Sequence, residues 1–160
     1  SGGILIAGFN VLTYDSSFYG GAISVGSLNE GKVSGVYIPI FASLGTNDGK
    51  INGLEVSLVQ SGEKLLGEDR YTGEKRYAES LAPRDTPSKN GLSVGGLTLA
   101  NELNGGQIGL FNVAGKTNGF QIGLYNSNEG GKNIQLGLVN EVELGPGRNR
   151  WAIGINYGWD

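Results

Sequence analysis

The chain has 160 residues, a formal net charge of −3 and a pI near 5.0, which is one domain's worth of sequence without the basic stripe that nucleic acid requires. It contains no Cys and no His, and this removes disulfides, thiol chemistry, Ser-His-Asp and Cys-His catalysis and the usual zinc ligand sets. Glycine stands at 30 residues without a collagen period and among plentiful aliphatic residues, so it punctuates ordered strands and turns.

In chain order, the opening SGGILIAGFN lacks the basic n-region of a signal peptide, so any targeting segment has been removed or was never present; the missing initiator methionine reads as a mature or trimmed form, as of an exported chain after signal-peptide removal. No apolar run is long enough for a transmembrane helix. Alternation of apolar with polar or glycine residues, the period-2 signature of a β-strand, marks segments 4–13, 19–28, 34–45 and 51–60. The same pattern marks 91–100, 105–113, 119–127, 133–141 and 151–158. Turn chemistry at Asn29-Glu30-Gly31, Asn47-Asp48-Gly49, Gly130-Gly131 and Gly145-Pro146-Gly147 separates them. The expected fold class is therefore all-β. A single domain over 1–160 forms an antiparallel meander of about 8–10 strands, closed as a barrel (an outer-membrane barrel in one version) or folded as a sandwich.

Superimposed on this pattern is a repeat. NGGQIGLFN runs from Asn104 to Asn112, NGFQIGLYN from Asn118 to Asn126 and KNIQLGLVN from Lys132 to Asn140, each starting 14 residues after the last. NGLSVGGLT from Asn90 fits the same frame, and NRWAIGINY from Asn149 is a looser copy. A parallel β-solenoid would stack Asn112, Asn126 and Asn140 as an asparagine ladder. Against it stand the shortness of a 14-residue coil and the 17-residue step from Lys132 to Asn149.

Outside 62–90, charge falls in turns or at strand ends, and only Glu55 sits in mid-strand. One strand face carries Ile108 with Leu110 and Ile122 with Leu124; the other carries Gln107, Gly109 and Phe111, then Gln121, Gly123 and Tyr125. Mid-strand glycine costs roughly 0.5–1 kcal/mol relative to alanine, so a column of it implies close packing against that face. In a barrel the aliphatic face meets lipid and the Gln/Gly/aromatic face lines a filled lumen; in a sandwich the aliphatic face is the core.

The stretch 62–90 stands apart as a charged insertion between strands, with six basic and six acidic residues. Arg70, Tyr71, Arg76 and Tyr77 are its candidate binding residues, because Tyr and Arg favour interfaces; the plainer reading is a solvated loop. Glu68, Asp69, Glu74 and Glu79 could ligate calcium, but the interleaved Arg70, Lys75 and Arg76 favour internal ion pairing. Glu55 occupies the frame position of Gln107 and is either a perturbed lumenal carboxylate or, as the favoured reading, a paired or solvated one. No metal and no cofactor is expected.

The NG-x-Q-I-G-L-x-N phrase resembles the surface-repeat proteins of Gram-negative bacteria, in which tandem copies follow an export signal. The resemblance covers about 90–158 well and the first sixty residues loosely, and the insertion at 62–90 departs from an uninterrupted array. It implies an exported protein of the cell envelope, in the outer membrane or secreted, without enzymatic activity and without catalytic residues to carry over. The function expected is that of a non-enzymatic envelope repeat protein, structural or partner-binding through 62–90, with a lipid bilayer or an envelope protein as partner. The alternatives are a soluble exported β-domain that binds carbohydrate or protein, and a carboxylate-dependent hydrolase or lyase built on Glu55.

Overall fold

The computed structural model describes residues 2–13, 16–45, 49–62, 88–143 and 148–158. They form β1 (Gly2–Leu12), β2 (Ser17–Asn29), β3 (Lys32–Gly45), β4 (Lys50–Gly62), β5 (Ser88–Asn128), β6 (Asn133–Glu143) and β7 (Asn149–Gly158) in one sheet whose order follows the chain. Every neighbouring pair from β1 to β6 is parallel, and only β6 and β7 are antiparallel. The fold is a β-solenoid. This overturns the antiparallel meander, barrel or sandwich, because the strands do not reverse until the last connection.

The reason lies in the repeat. A two-residue side-chain period is common to parallel and antiparallel strands, so alternation alone does not report direction. Constant start-to-start spacing does: each coil returns the chain to the same place, and equal positions stack in register. Gly119 pairs with Asn133, Gln121 with Gln135 and Asn126 with Asn140. The 41-residue β5 winds through the copies that start at Asn90, Asn104 and Asn118, whose side chains bond across successive levels. The 17-residue step after Lys132 interrupts the array only at its end, where β7 folds back on β6 as a hairpin.

Each coil up to the one starting at Asn118 opens on a residue followed by a glycine with positive φ, from +121° at Gly53 to +150° at Gly119, and Asn133 takes the position in the next coil. Side-chain-bearing residues rarely adopt this backbone, and a Cβ on Gly53, Gly91, Gly105 or Gly119 would strike the carbonyl of the glycine one level below. Asn52, Asn90, Asn104 and Asn118, just before those glycines, form an exposed amide ladder with bonds of 2.8–3.1 Å, from Asn90 Nδ2 to Asn52 Oδ1 up to Asn118 Nδ2 to Asn104 Oδ1. The NG dipeptide therefore makes a corner, not a hairpin turn.

The interior changes along the axis. Phe18, Ala22, Val33, Tyr37 and Ile51 fill the first coils with a small apolar core, and Ala100, Leu103 and Ala114 form a second cluster. Beside Leu99, Val142, Thr98 and Thr117, the later coils are filled by carboxamides.

Candidate functional site: an apolar face over a polar interior

The strict alternation slips once per coil. Gln107, Gly109 and Asn112 turn inward, while Ile108, Leu110 and Phe111 turn outward. Alternation places Phe111 and Tyr125 on the glutamine face, and this is corrected: the slip between 110 and 111 puts both on the outer surface. Aromatic cover of glycine does occur elsewhere, where the Phe120 ring lies over Gly106 and the Phe9 ring lies over Gly26.

Because the coils are parallel and in register, each inward carboxamide meets its equivalent one level on. A carboxamide both donates and accepts, so the column closes on itself. Gln121 Nε2 donates to Gln107 Oε1 at 2.8 Å, Gln135 Nε2 to Gln121 Oε1 at 2.9 Å, and Asn156 Nδ2 of β7 ends the column on Gln135 Oε1 at 2.9 Å. The second column runs from Thr98 Oγ1 to Asn112 Oδ1 at 2.6 Å, Asn112 Nδ2 to Asn126 Oδ1 at 2.8 Å and Asn126 Nδ2 to Asn140 Oδ1 at 2.7 Å. The amides also donate to backbone carbonyls, as Asn126 Nδ2 does to Leu136 O at 3.1 Å. The inward glycines make room for them: a Cβ on Gly123 would lie 2.5 Å from Asn112 Nδ2 and against Gly109 O.

With amides inside, the aliphatic side chains face out. One outer column passes through Ile6 and Ile23 in the first coils and Ile122, Leu136 and Ile155 in the last. Beside it, Val25, Leu58, Leu110, Leu124, Leu138 and Ile153 are exposed, from 49% at Leu124 to 86% at Ile153. Among the described residues, no charged side chain interrupts this face; Glu55, the charged residue that falls within the strip, points inward. Between the two columns the backbone of Gly109, Gly123 and Gly137 floors an open apolar groove of about 700 Å³. Successive levels are roughly 4.8 Å apart and strand residues roughly 3.3 Å, so the strip from position 106 to 111 over all coils covers roughly 650 Å². The largest apolar patch on an ordinary monomer is about 300–600 Å².

Glu55 lies in the glutamine column, paired with Tyr37 below and Ser93 above. Its Oε2 accepts from Lys89 Nζ at 2.6 Å and from Ser93 Oγ at 3.4 Å, and Lys89 Nζ also donates to Gln60 Oε1 at 2.5 Å. Lys89 is a residue of the charged 62–90 stretch, but here it is the second residue of β5 and replaces the apolar side chains of its column, Val33 and Ile51. Burial pulls its pKa below the usual lysine value, against the opposing pull of the Glu55 carboxylate. Burial also pushes the Tyr37 hydroxyl up to about 12, with Ser27 opposing and the Glu55 charge adding. Glu55 is 1% exposed, so the cluster neutralises charge inside the coil and offers its carboxylate no route to a substrate.

Arg70, Tyr71, Arg76 and Tyr77 lie outside the described residues, as do Glu68, Asp69, Glu74 and Glu79. What is described is where their segment attaches. Leu12, Asn29, Gly45 and Gly62 stack in one column, and Ser17, Lys32, Lys50 and Ser88 in another. The connection 63–87 therefore leaves and rejoins the solenoid at the same edge as the short turns. Among the described residues, no three carboxylates converge as a metal ligand set. The outward aliphatic columns were legible as one face in the sequence; that they surround an amide interior was not. The geometry defines a β-solenoid with internal amide ladders and one apolar face. Compared with known proteins, the chain matches no family model, no curated protein and no solved structure.

Proposed function

We propose that this chain is a non-enzymatic repeat protein of the bacterial cell envelope, a rigid scaffold that docks through its charge-free apolar face. The observation that carries the reading is that face, which runs through every coil and exceeds the patch size a monomer usually leaves in water. The NGxQIGLxN phrase supports the envelope setting, and the enclosed Glu55–Lys89 pair supports a structural role for the buried Glu55 carboxylate. Fractionation of the producing cells tests it. The wild-type chain is expected outside the cytosol, with the periplasm and membranes, and captured there by cross-linking through the face; the triple variant Leu110→Asp, Leu124→Asp, Leu138→Asp is expected in the same compartment but uncaptured. A wild-type chain found in the cytosol, or a triple variant captured as the wild type is, refutes it.

The shared attachment edge favours a second role alongside the first, in which 63–87 is displayed to a protein partner through Arg70, Tyr71, Arg76 and Tyr77. Replacing all four by Ser should abolish such binding while leaving the apolar face and the fold untouched.

A further inference from the structure

Resting on the docking role just proposed, we infer that the apolar face is covered by a second copy of this chain, giving a face-to-face dimer. Three features favour this occupant. The first is area: the strip of roughly 650 Å² on each copy buries about 1,300 Å² in total, within the roughly 1,200–2,000 Å² of stable interfaces. The second is shape. The face presents two aliphatic ridges, at Ile108–Ile122–Leu136 and Leu110–Leu124–Leu138, with a groove between them. A two-fold axis in the interface, parallel to the solenoid axis, sets one ridge of each copy into the groove of the other, the self-matching contact that two-fold symmetry requires. Two flat sheets packed this way stand about 10 Å apart, as in a sandwich.

The third feature is charge. A surface built for an anionic leaflet carries a Lys/Arg border. Here the net charge is −3, and the turn edge mixes both signs, with Glu30 beside Lys32 and Glu129 near Lys132. Among the described residues, the corner column beside the Ile108 ridge carries one cation, Lys132, after Asn90, Asn104 and Asn118, and Arg150 donates to Tyr157 O at the β7 end; two isolated cations make no Lys/Arg border. The face is dressed for another uncharged sheet.

Sedimentation velocity and light scattering on the purified chain in plain buffer test this. The expected result is a species of twice the 16.7 kDa chain mass across the micromolar range. Leu124→Asp, on the ridge, should raise the dissociation constant at least about 100-fold with an unchanged far-UV circular dichroism spectrum. Leu138→Asn should weaken it in the same direction, and Lys116→Glu, on the turn edge, should leave it alone. A monomer that floats with neutral phosphatidylcholine vesicles, and loses this with Leu124→Asp, overturns the dimer but keeps the docking face. A monomer that ignores vesicles and behaves identically with Leu124→Asp overturns both.

Discussion

Asn126 sits in the middle of the inner asparagine column, and its replacement by alanine measures what the ladder contributes. Three bonds vanish together: the one received from Asn112 Nδ2 at 2.8 Å, and those given to Asn140 Oδ1 at 2.7 Å and Leu136 O at 3.1 Å. Asn112 keeps a bond to Ile122 O, but Asn140 Oδ1 loses its donor inside the coil. A net hydrogen bond is worth about 1 kcal/mol and a stranded buried acceptor costs about 1–3 kcal/mol, so Asn126→Ala should lose roughly 3–5 kcal/mol. Asn118→Ala is the matched control. It breaks the outer ladder, where Asn118 Nδ2 reaches Asn104 Oδ1 at 3.1 Å but water can substitute, so its loss should stay below about 1 kcal/mol. In urea unfolding followed by circular dichroism, a slope of roughly 2 kcal/mol per molar turns these into midpoint shifts of about 2 M and under about 0.5 M. Equal shifts for the two variants would refute the amide interior.

Gly123→Ala should be at least as damaging, by about 3 kcal/mol or more, because its Cβ has nowhere to go beside Asn112 Nδ2 and Gly109 O. Gly8→Ala meets nothing within 4 Å and should be neutral or stabilising by up to about 1 kcal/mol on the same urea curves. Glu55→Gln strands the Lys89 ammonium inside the coil and should cost about 3–5 kcal/mol, most of it recovered in the double variant Glu55→Gln, Lys89→Met; a thermal melt that leaves the single variant at wild-type stability would contradict the pairing. Tyr37 titrates near 10 when unfolded and at about 12 when folded, so the neutral form is favoured by the fold. Its contribution is intact below pH 10 and lost between about 10 and 12, a fall of about 3 kcal/mol that Tyr37→Phe should abolish. Lys89 has the opposite sign, since its folded pKa is lowered: its contribution is full above the usual lysine value of 10.5 and declines as pH falls below it.

Much of this was legible in the chain. The strand segments, the exclusion of charge from them and the place of Glu55 in the column of Gln107 all follow from alternation and frame. The asparagine ladder at Asn112, Asn126 and Asn140 was legible too, as the mark of a solenoid. Strand direction was the harder matter. Alternation is blind to it, and the decisive sign was that an amide recurs at constant offset, since only in-register parallel coils bring Gln107 against Gln121 and Gln121 against Gln135. Lys89 was beyond reach for a different reason. Its neighbours in sequence are a charged stretch, and its partners Glu55 and Gln60 lie one coil away, across the whole 63–87 segment.

The amide interior also bears on how the protein answers to temperature. Exposing hydrocarbon raises heat capacity by about 0.45 cal/K/mol/Å², whereas exposing polar surface lowers it by about 0.26. In the last coils of a single copy, much of what unfolding newly exposes to water is carboxamide, while Ile122, Leu124 and Leu136 are outward before the chain opens. The heat-capacity increment per residue should therefore fall below the ordinary globular value, and stability should vary gently from cold to warm. A chain that keeps its oil outside and its amides within gives up part of the curvature that makes other folds fragile at both ends of the temperature scale.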